Sequence, residues 1–92
     1  MQAKQWTVQI YITEDDNDDR TVARAVLITH GASHGGRTHE SVGYARRNPV
    51  DRPVPEIGDE LAAGRALADL ADKLTGEAAE DVAQLAGRGR HA

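Results

Sequence analysis

Three histidines, His30, His34 and His39, gather around one glycine-bearing segment, with Ser33 and Glu40 beside them. Neutral imidazoles ligate zinc, nickel and copper, so the chemistry to test first is divalent-metal binding. Spacings of four and five residues among Gly31, Gly35 and Gly36 leave such ligands without a rigid frame. The chain has no Cys to complete a set, so no selected metal and no cofactor are expected. Solvated loop histidines account for the cluster, with adventitious metal affinity and an unspecific pH response at most.

Other chemical patterns fail on particular residues. Asp15, Asn17 and Asp19 alternate as in a calcium loop, but Arg20 stands where the turn needs Gly and Val26 where a bidentate Glu is required. A hairpin turn that keeps like charges in water fits better. Ser33, a histidine and an Asp make a triad only on paper, without a nucleophile elbow or an oxyanion hole. His30 to Gly36 lacks the Lys-Ser/Thr of a phosphate loop. Glu60 falls by helical spacing between Ile57 and Leu67, so a buried general acid is one reading. A first-turn carboxylate at the rim, satisfied by Arg46 or by free backbone N–H groups, is the simpler one. Arg46, Arg47 and Arg52 form a basic knot flanked by Asp51. They offer a nucleic-acid contact, or ion pairs to Glu56, Asp59 or Glu60 contributing about 0–1 kcal/mol each.

These residues need a frame, and composition bounds it. Ninety-two residues hold one small domain, which buries roughly 60–65% of its unfolded surface. One Trp and no Phe make for a modest core. The absence of Cys fits a reducing compartment, the first residues hold no apolar signal core, and no run reaches the ~18–20 apolar residues of a membrane span. A cytoplasmic protein with no membrane role is expected. The net charge of −4 argues against a dedicated nucleic-acid binder.

Gln5 to Thr13 alternates, with Trp6, Val8, Ile10 and Ile12 on one face and Gln9 and Tyr11 on the other, the period-2 pattern of a strand. Thr21 to Thr29 is β-branched and reads as a second strand, antiparallel to the first. Both its faces are apolar, so its phase stays open. Thr38 to Arg46 is a third strand after a glycine-rich loop. Pro49, Pro53 and Pro55 exclude helix until Pro55 itself, which suits a first helical turn. Glu56, Asp59 and Glu60 then meet the positive end of the helix dipole. Ile57, Leu61, Gly64, Leu67, Ala68, Ala71 and Leu74 recur at helical spacing and predict the buried face, with Arg65, Asp69, Asp72 and Lys73 opposite. Thr75-Gly76 predicts the end of this helix, and Glu77 to Leu85 a short second one. The expected layout is a single α+β domain over 1–86, a three-stranded antiparallel sheet with one main and one short helix, and a disordered tail over 87–92.

WTVQIYITE, TVARAVL, VGYARRNPVDRPVPEIGDELAAGRALADLADKL and AAEDVAQL, in that order, resemble the actinobacterial family catalogued as domain of unknown function 1876, from about Trp6 to Leu85. The run from Pro49 to Leu67 is its most specific part. The resemblance implies a fold likened to double-stranded-RNA-binding domains (dsRBDs), and no established activity. The chain departs from the pattern in its longer acidic first turn and its His/Gly-rich second loop. True binders of double-stranded RNA carry a helix before the sheet and basic residues at the start of the last helix. This chain opens on a strand and begins its helix with Pro55-Glu56-Ile57-Gly58-Asp59-Glu60, which repels phosphate.

One main helix covers one face of a three-stranded sheet. The other face then keeps Val22, Val26 and Ile28 in one phase of the second strand, with Tyr11 and Tyr44 joining it. An apolar face of that kind marks an interface. The expected role is a non-enzymatic interaction or self-association module, a homo-oligomer or the binder of a protein partner. Nucleic-acid binding through Arg46, Arg47 and Arg52 is the alternative.

Overall fold

The computed structural model describes residues 2–15, 17–29, 37–48 and 54–89. Three strands, β1 (Thr7–Asp15), β2 (Arg20–Ile28) and β3 (Thr38–Arg46), precede one helix, α1 (Pro55–Gly89). The strands form an antiparallel meander in the order β1-β2-β3, and the fold is α+β. The β3 bounds are those expected from the sequence, and β1 and β2 lie within two residues of theirs.

The first hairpin is fixed at its turn by local polar chemistry. The Asn17 N–H donates to Asp15 Oδ1 at 3.0 Å, and Asp19 takes a positive φ of 50°, which Asp tolerates better than most residues. Its carbonyl accepts the Arg47 N–H at 2.8 Å, and its carboxylate pairs with the Arg47 guanidinium at 2.7 Å. At the other end of the sheet the Thr29 N–H donates to the Arg37 carbonyl at 2.9 Å and the Arg37 N–H to Thr29 Oγ1 at 3.0 Å. These bonds close the β2–β3 connection.

Register decides the phase left open by the sequence. Val8 stands opposite Leu27, Ile10 opposite Ala25 and Ile12 opposite Ala23; Ala25 faces Ser41, Ala23 faces Gly43 and Thr21 faces Ala45. Cross-strand partners share a face, so one side of the sheet carries Val8, Ile10, Ile12, Ala23, Ala25, Leu27, Ser41, Gly43 and Ala45. The helix covers that side over β2 and β3 and barely reaches β1. The core is therefore made of small residues: Ala23, Ala25, Leu27 and Ala45 from the sheet against Ala62, Ala66 and Leu70 from α1, with Ala63 and Leu74 at its margin.

The helix rests on a different face from the one its large residues predict. Ile57, Leu61 and Leu67 are exposed, as are Gly64, Ala68 and Ala71, while Ala62 and Ala66 are buried. Gly43 supplies the reason. A Cβ at that position would collide with the Ala62 carbonyl oxygen and the Ala66 nitrogen and lie 3.0 Å from the Arg65 carbonyl carbon. The α1 backbone thus sits on the β3 backbone, and only an alanine stripe permits that approach. Arg65 and Lys73, expected on the solvent side, flank the seam instead. Arg65 Nη1 donates to the Tyr44 carbonyl at 2.6 Å, and Lys73 Nζ to the Glu40 carbonyl at 3.0 Å.

A separate short helix after Thr75-Gly76 is also corrected, because α1 runs unbroken to Gly89. The Thr75 hydroxyl donates within the helix to the Ala71 and Asp72 carbonyls at 3.1 Å each, and Glu77 anchors the next turn to β3. The helix thus extends into the expected tail, whose residues 90–92 lie outside the described residues. At 1.5 Å per residue α1 is about 52 Å long, much longer than the sheet it crosses, and the molecule measures 63 × 27 × 21 Å.

Candidate interaction surfaces

The side of the sheet away from α1 is built by the remaining residues of each strand. β2 contributes Arg20, Val22, Arg24, Val26 and Ile28, β3 contributes Thr38, Glu40, Val42, Tyr44 and Arg46, and β1 contributes Gln9, Tyr11 and Thr13. The expected interface residues Tyr11, Val22, Val26 and Ile28 therefore share one face, with Val42 and Tyr44 added. Val22, Val26 and Ile28 are half-buried by their neighbours, and Tyr11, Val42 and Tyr44 are exposed.

Two cation–π pairs order this face. The Arg24 guanidinium lies 4.8 Å from the Tyr11 ring centroid and pairs with Glu40 at 2.8 Å. Arg20 lies 4.7 Å over Tyr44. Tyr11 donates its hydroxyl to Gln9 Oε1 at 2.6 Å. Each exposed cation–π contact contributes about 0.5–1 kcal/mol, and together they order two rings and two guanidinium groups on the face that also carries Val22, Val26 and Val42. Tyr and Arg over an apolar centre is the composition of interface hot spots. The contribution of Arg20 and Arg24 was not singled out from sequence. Their period-2 spacing with Val22 was the available signal.

Arg46 and Arg47, the described members of the basic knot, serve different surfaces. Arg46 lies beside Arg20 on the outer sheet face, Arg47 turns back to Asp19, and Arg52 lies outside the described residues. The two described arginines thus point to different tasks, and Arg47 fixes the hairpin rather than pairing with Glu56, Asp59 or Glu60. Glu60 is exposed. Between the hairpin and the helix start is a cleft of about 410 Å³, floored by Thr21, Ala45, Val54, Ile57, Gly58 and Leu61 and rimmed by both acidic and basic groups.

Of the three histidines, His39 is described. Its Nδ1 lies 3.3 Å from Glu77 Oε2, and Arg37 Nη1 reaches Glu77 Oε1 at 3.5 Å, so His39 helps hold α1 against the sheet. His30 and His34 lie outside the described residues. Among the described residues no group of three or more His, Cys, Asp or Glu side chains is arranged to hold a metal ion, and no helix is long and apolar enough to cross a membrane.

Beneath the helix, the buried Ser41 hydroxyl makes no hydrogen bond of full geometry. It nevertheless lies close enough to Asp69 to be the first cause holding that carboxylate below its ordinary value of 3.8, with Lys73, 3.3 Å away, as the second. The two groups thus sit where β3 meets α1.

Comparison with known proteins agrees with the fold in being silent on chemistry. The chain is 45% identical over 76 residues to the uncharacterized protein Rv2632c of Mycobacterium tuberculosis, covering 83% of this chain and 76% of that one. It is 43% identical over 77 residues to the uncharacterized protein Mb1767 of Mycobacterium bovis, covering 84% and 74%. The profile of the family described as Rv2632c-like matches residues 4–91, nearly the whole chain from before β1 to past α1, and the protein belongs to that family.

Proposed function

We propose that this protein is a small, cytoplasmic, non-enzymatic interaction module that docks a protein partner, another copy of itself included, on the open face of its sheet. The observation that carries this reading is the ordered outer face, with Tyr11 and Tyr44 each stacked under an arginine around half-buried Val22, Val26 and Ile28. Planar side chains already fixed in place lose little entropy when a partner covers them. The β-β-β-α order supports the dsRBD-like kinship implied by the sequence resemblance, in a form without the helix that precedes the sheet.

The test is site-specific photo-crosslinking in cells, with a photoreactive side chain at Val42 on the sheet face and, as control, at Asp72 on the exposed flank of α1. A discrete adduct at position 42 that disappears with Val26→Lys supports the reading, and its mass distinguishes a second copy from another protein. No adduct at position 42, or equal adducts at both positions, refutes it.

A second reading rests on the same stacked pairs. Tyr11 and Tyr44 with Arg20, Arg24 and Arg46 on one face form a stacking platform suited to single-stranded nucleic acid. It replaces the Arg46/Arg47/Arg52 knot as the way this chain would contact nucleic acid. It predicts that a labelled oligonucleotide binds at low salt, releases steeply as salt rises, and is lost to Arg20→Glu/Arg24→Glu. The net charge of −4 and the Glu40 carboxylate on Arg24 place it second.

A further inference from the structure

Two apolar features of this chain are left uncovered by the described residues, and they lie at the same end of the molecule. The first is the helix-side row of β1. Trp6 precedes the strand and Val8, Ile10 and Ile12 follow at alternate positions, yet they remain 54%, 41%, 38% and 44% exposed because α1 lies over β2 and β3. Above this row rises the flank of α1 bearing Ala63, Leu67 and Leu74, at helical spacing on the side away from Arg65 and Lys73, which reach β3. Row and flank bound a trough beside α1, over the strand that the helix leaves uncovered. The second feature is the distal part of α1. Beyond Glu77 every side chain through Ala86 is exposed, including Val82 and Leu85 at 66% each.

Dimensions and direction match. Residues 78–89 make about 18 Å of helix, and the row from Trp6 to Ile12 is about 20 Å of strand. Helix positions 65, 73 and 77 meet strand positions 44, 40 and 39 in descending order, so α1 runs antiparallel to β3. It therefore leaves the sheet at the end where Thr7, Ile28 and Thr38 are aligned, which is the Trp6 end of the trough. A straight helix cannot turn into its own trough, but two molecules meeting at these ends about a two-fold axis can each lay the distal helix into the other's. Charge agrees as well, since Glu80 and Asp81 arrive at the end that carries Lys4 and Arg37.

We propose that the chain forms a reciprocal homodimer in which residues 78–89 of each copy occupy the trough of the other, over Trp6, Val8, Ile10 and Ile12. Such exchange of an identical element is a common route to two-fold dimers. The four contributing faces, each about 18 by 11 Å, total roughly 800 Å² before side-chain corrugation is counted, below the ~1,200 Å² of stable complexes and in the range of weak, transient ones. The dimer is accordingly an exchanging one, not obligate. This surface is distinct from the outer sheet face and does not depend on it.

The single tryptophan, Trp6, lies at the trough and reports its occupancy. The experiment follows the mass of the full chain by light scattering and Trp6 emission together, from about 1 to 300 micromolar, a range centred on modest affinity. The expected result is a rise to dimer mass with a parallel blue shift of Trp6. Val82→Lys/Leu85→Lys, which alters only exposed positions, should weaken dimerisation by at least about tenfold while leaving the circular dichroism spectrum unchanged. Gly76→Ala, in open space on the helix, should stiffen α1 and move the transition to lower concentration. A monomer with red-emitting Trp6 throughout overturns the proposal. So does a monomer with blue-shifted Trp6, which would mean that the chain bends at Gly76 and fills its own trough. A dimer that survives Val82→Lys/Leu85→Lys but not Val26→Lys also overturns it, and would leave the sheet-face reading standing.

Discussion

Replacing Gly43 with Ala tests the backbone-on-backbone seam most directly. The added methyl would collide with the Ala62 carbonyl oxygen and the Ala66 nitrogen and lie 3.0 Å from the Arg65 carbonyl carbon. All three are backbone atoms inside a helix, so no side chain can rotate away. Carbon atoms rest at about 3.5–4.0 Å, so α1 would have to withdraw by more than about 1 Å, a gap that forfeits roughly half or more of each contact's attraction. The loss falls on the whole core, because Ala62, Ala66 and Leu70 meet Ala23, Ala25 and Leu27 across the same seam. Overpacking of this kind costs typically about 1–3 kcal/mol, and a rigid obstacle on both sides sets this case near the upper end. The smaller unfolded-state entropy of Ala offsets about 0.4–1 kcal/mol. A net loss of about 2 kcal/mol is a large share of the roughly 5–15 kcal/mol that small domains possess. It should lower Tm by roughly 8–16 °C for a chain of this size. Thermal and urea melts followed by far-ultraviolet circular dichroism measure both. Gly64→Ala, exposed with nothing within 4 Å, is the control and should stabilise by up to about 1 kcal/mol. If Gly43→Ala melts within about 1 °C of the native chain, a shift far below that expected of a 1 kcal/mol loss, the close approach is wrong.

Further expectations can be checked individually. A double-mutant cycle on Asp19→Ala and Arg47→Ala should give a coupling of about 1 kcal/mol, with Asp19→Ala the costlier single change because Ala is strained at a φ of 50°; zero coupling would show that the pair does not hold the hairpin. The Asp69 carboxyl titrates below 3.8, through Ser41 first and Lys73 second. Its contribution to stability is therefore present above the ordinary aspartate range and lost as pH falls through the depressed value. An NMR titration should show Asp69 returning toward 3.8 in Ser41→Ala, and an unmoved curve would remove Ser41 as the cause. At low micromolar concentration, amide exchange should be slow over residues 62–74 and fast over 78–86, since only the former pack on the sheet; uniform protection along α1 would contradict that division.

Much of the fold was legible in the chain itself. Alternation located β1, β-branched content located β2, β3 followed from its place after the glycine-rich loop, and Pro55 with Glu56 marked the start of α1, because these signals are local. The helix face was misjudged because weighting positions by size favours Ile57, Leu61 and Leu67, whereas contact here is limited by distance. The clue lay in another element: Ala23, Ala25, Gly43 and Ala45 leave the middle of β2 and β3 with little side chain on the helix side, and a surface so flat accepts only an equally bare helix stripe. Continuity of α1 through Gly76 was equally hidden. A glycine costs a helix about 1 kcal/mol, which the Glu77 contacts to His39 and Arg37 are placed to offset. The phase of β2 was not legible, since both its faces are apolar, and it took the register to place Tyr11, Val22, Val26 and Ile28 together; the arginines beside them were equally hidden, since cation–π stacking across strands depends on register that no single strand encodes.

The element order β1-β2-β3-α1 has a consequence for biosynthesis. Every strand leaves the ribosome before the element that completes the core, whose last buried member is Leu70. Until that residue emerges, the nascent sheet has only alanines, a leucine and a bare glycine to hold it, too little to outweigh the entropy of ordering the chain. The protein therefore acquires its structure in one late step, once Leu70 has cleared the ribosome, and any premature stop before α1 releases a fragment with no folded state of its own and an apolar β1 for quality control to recognise.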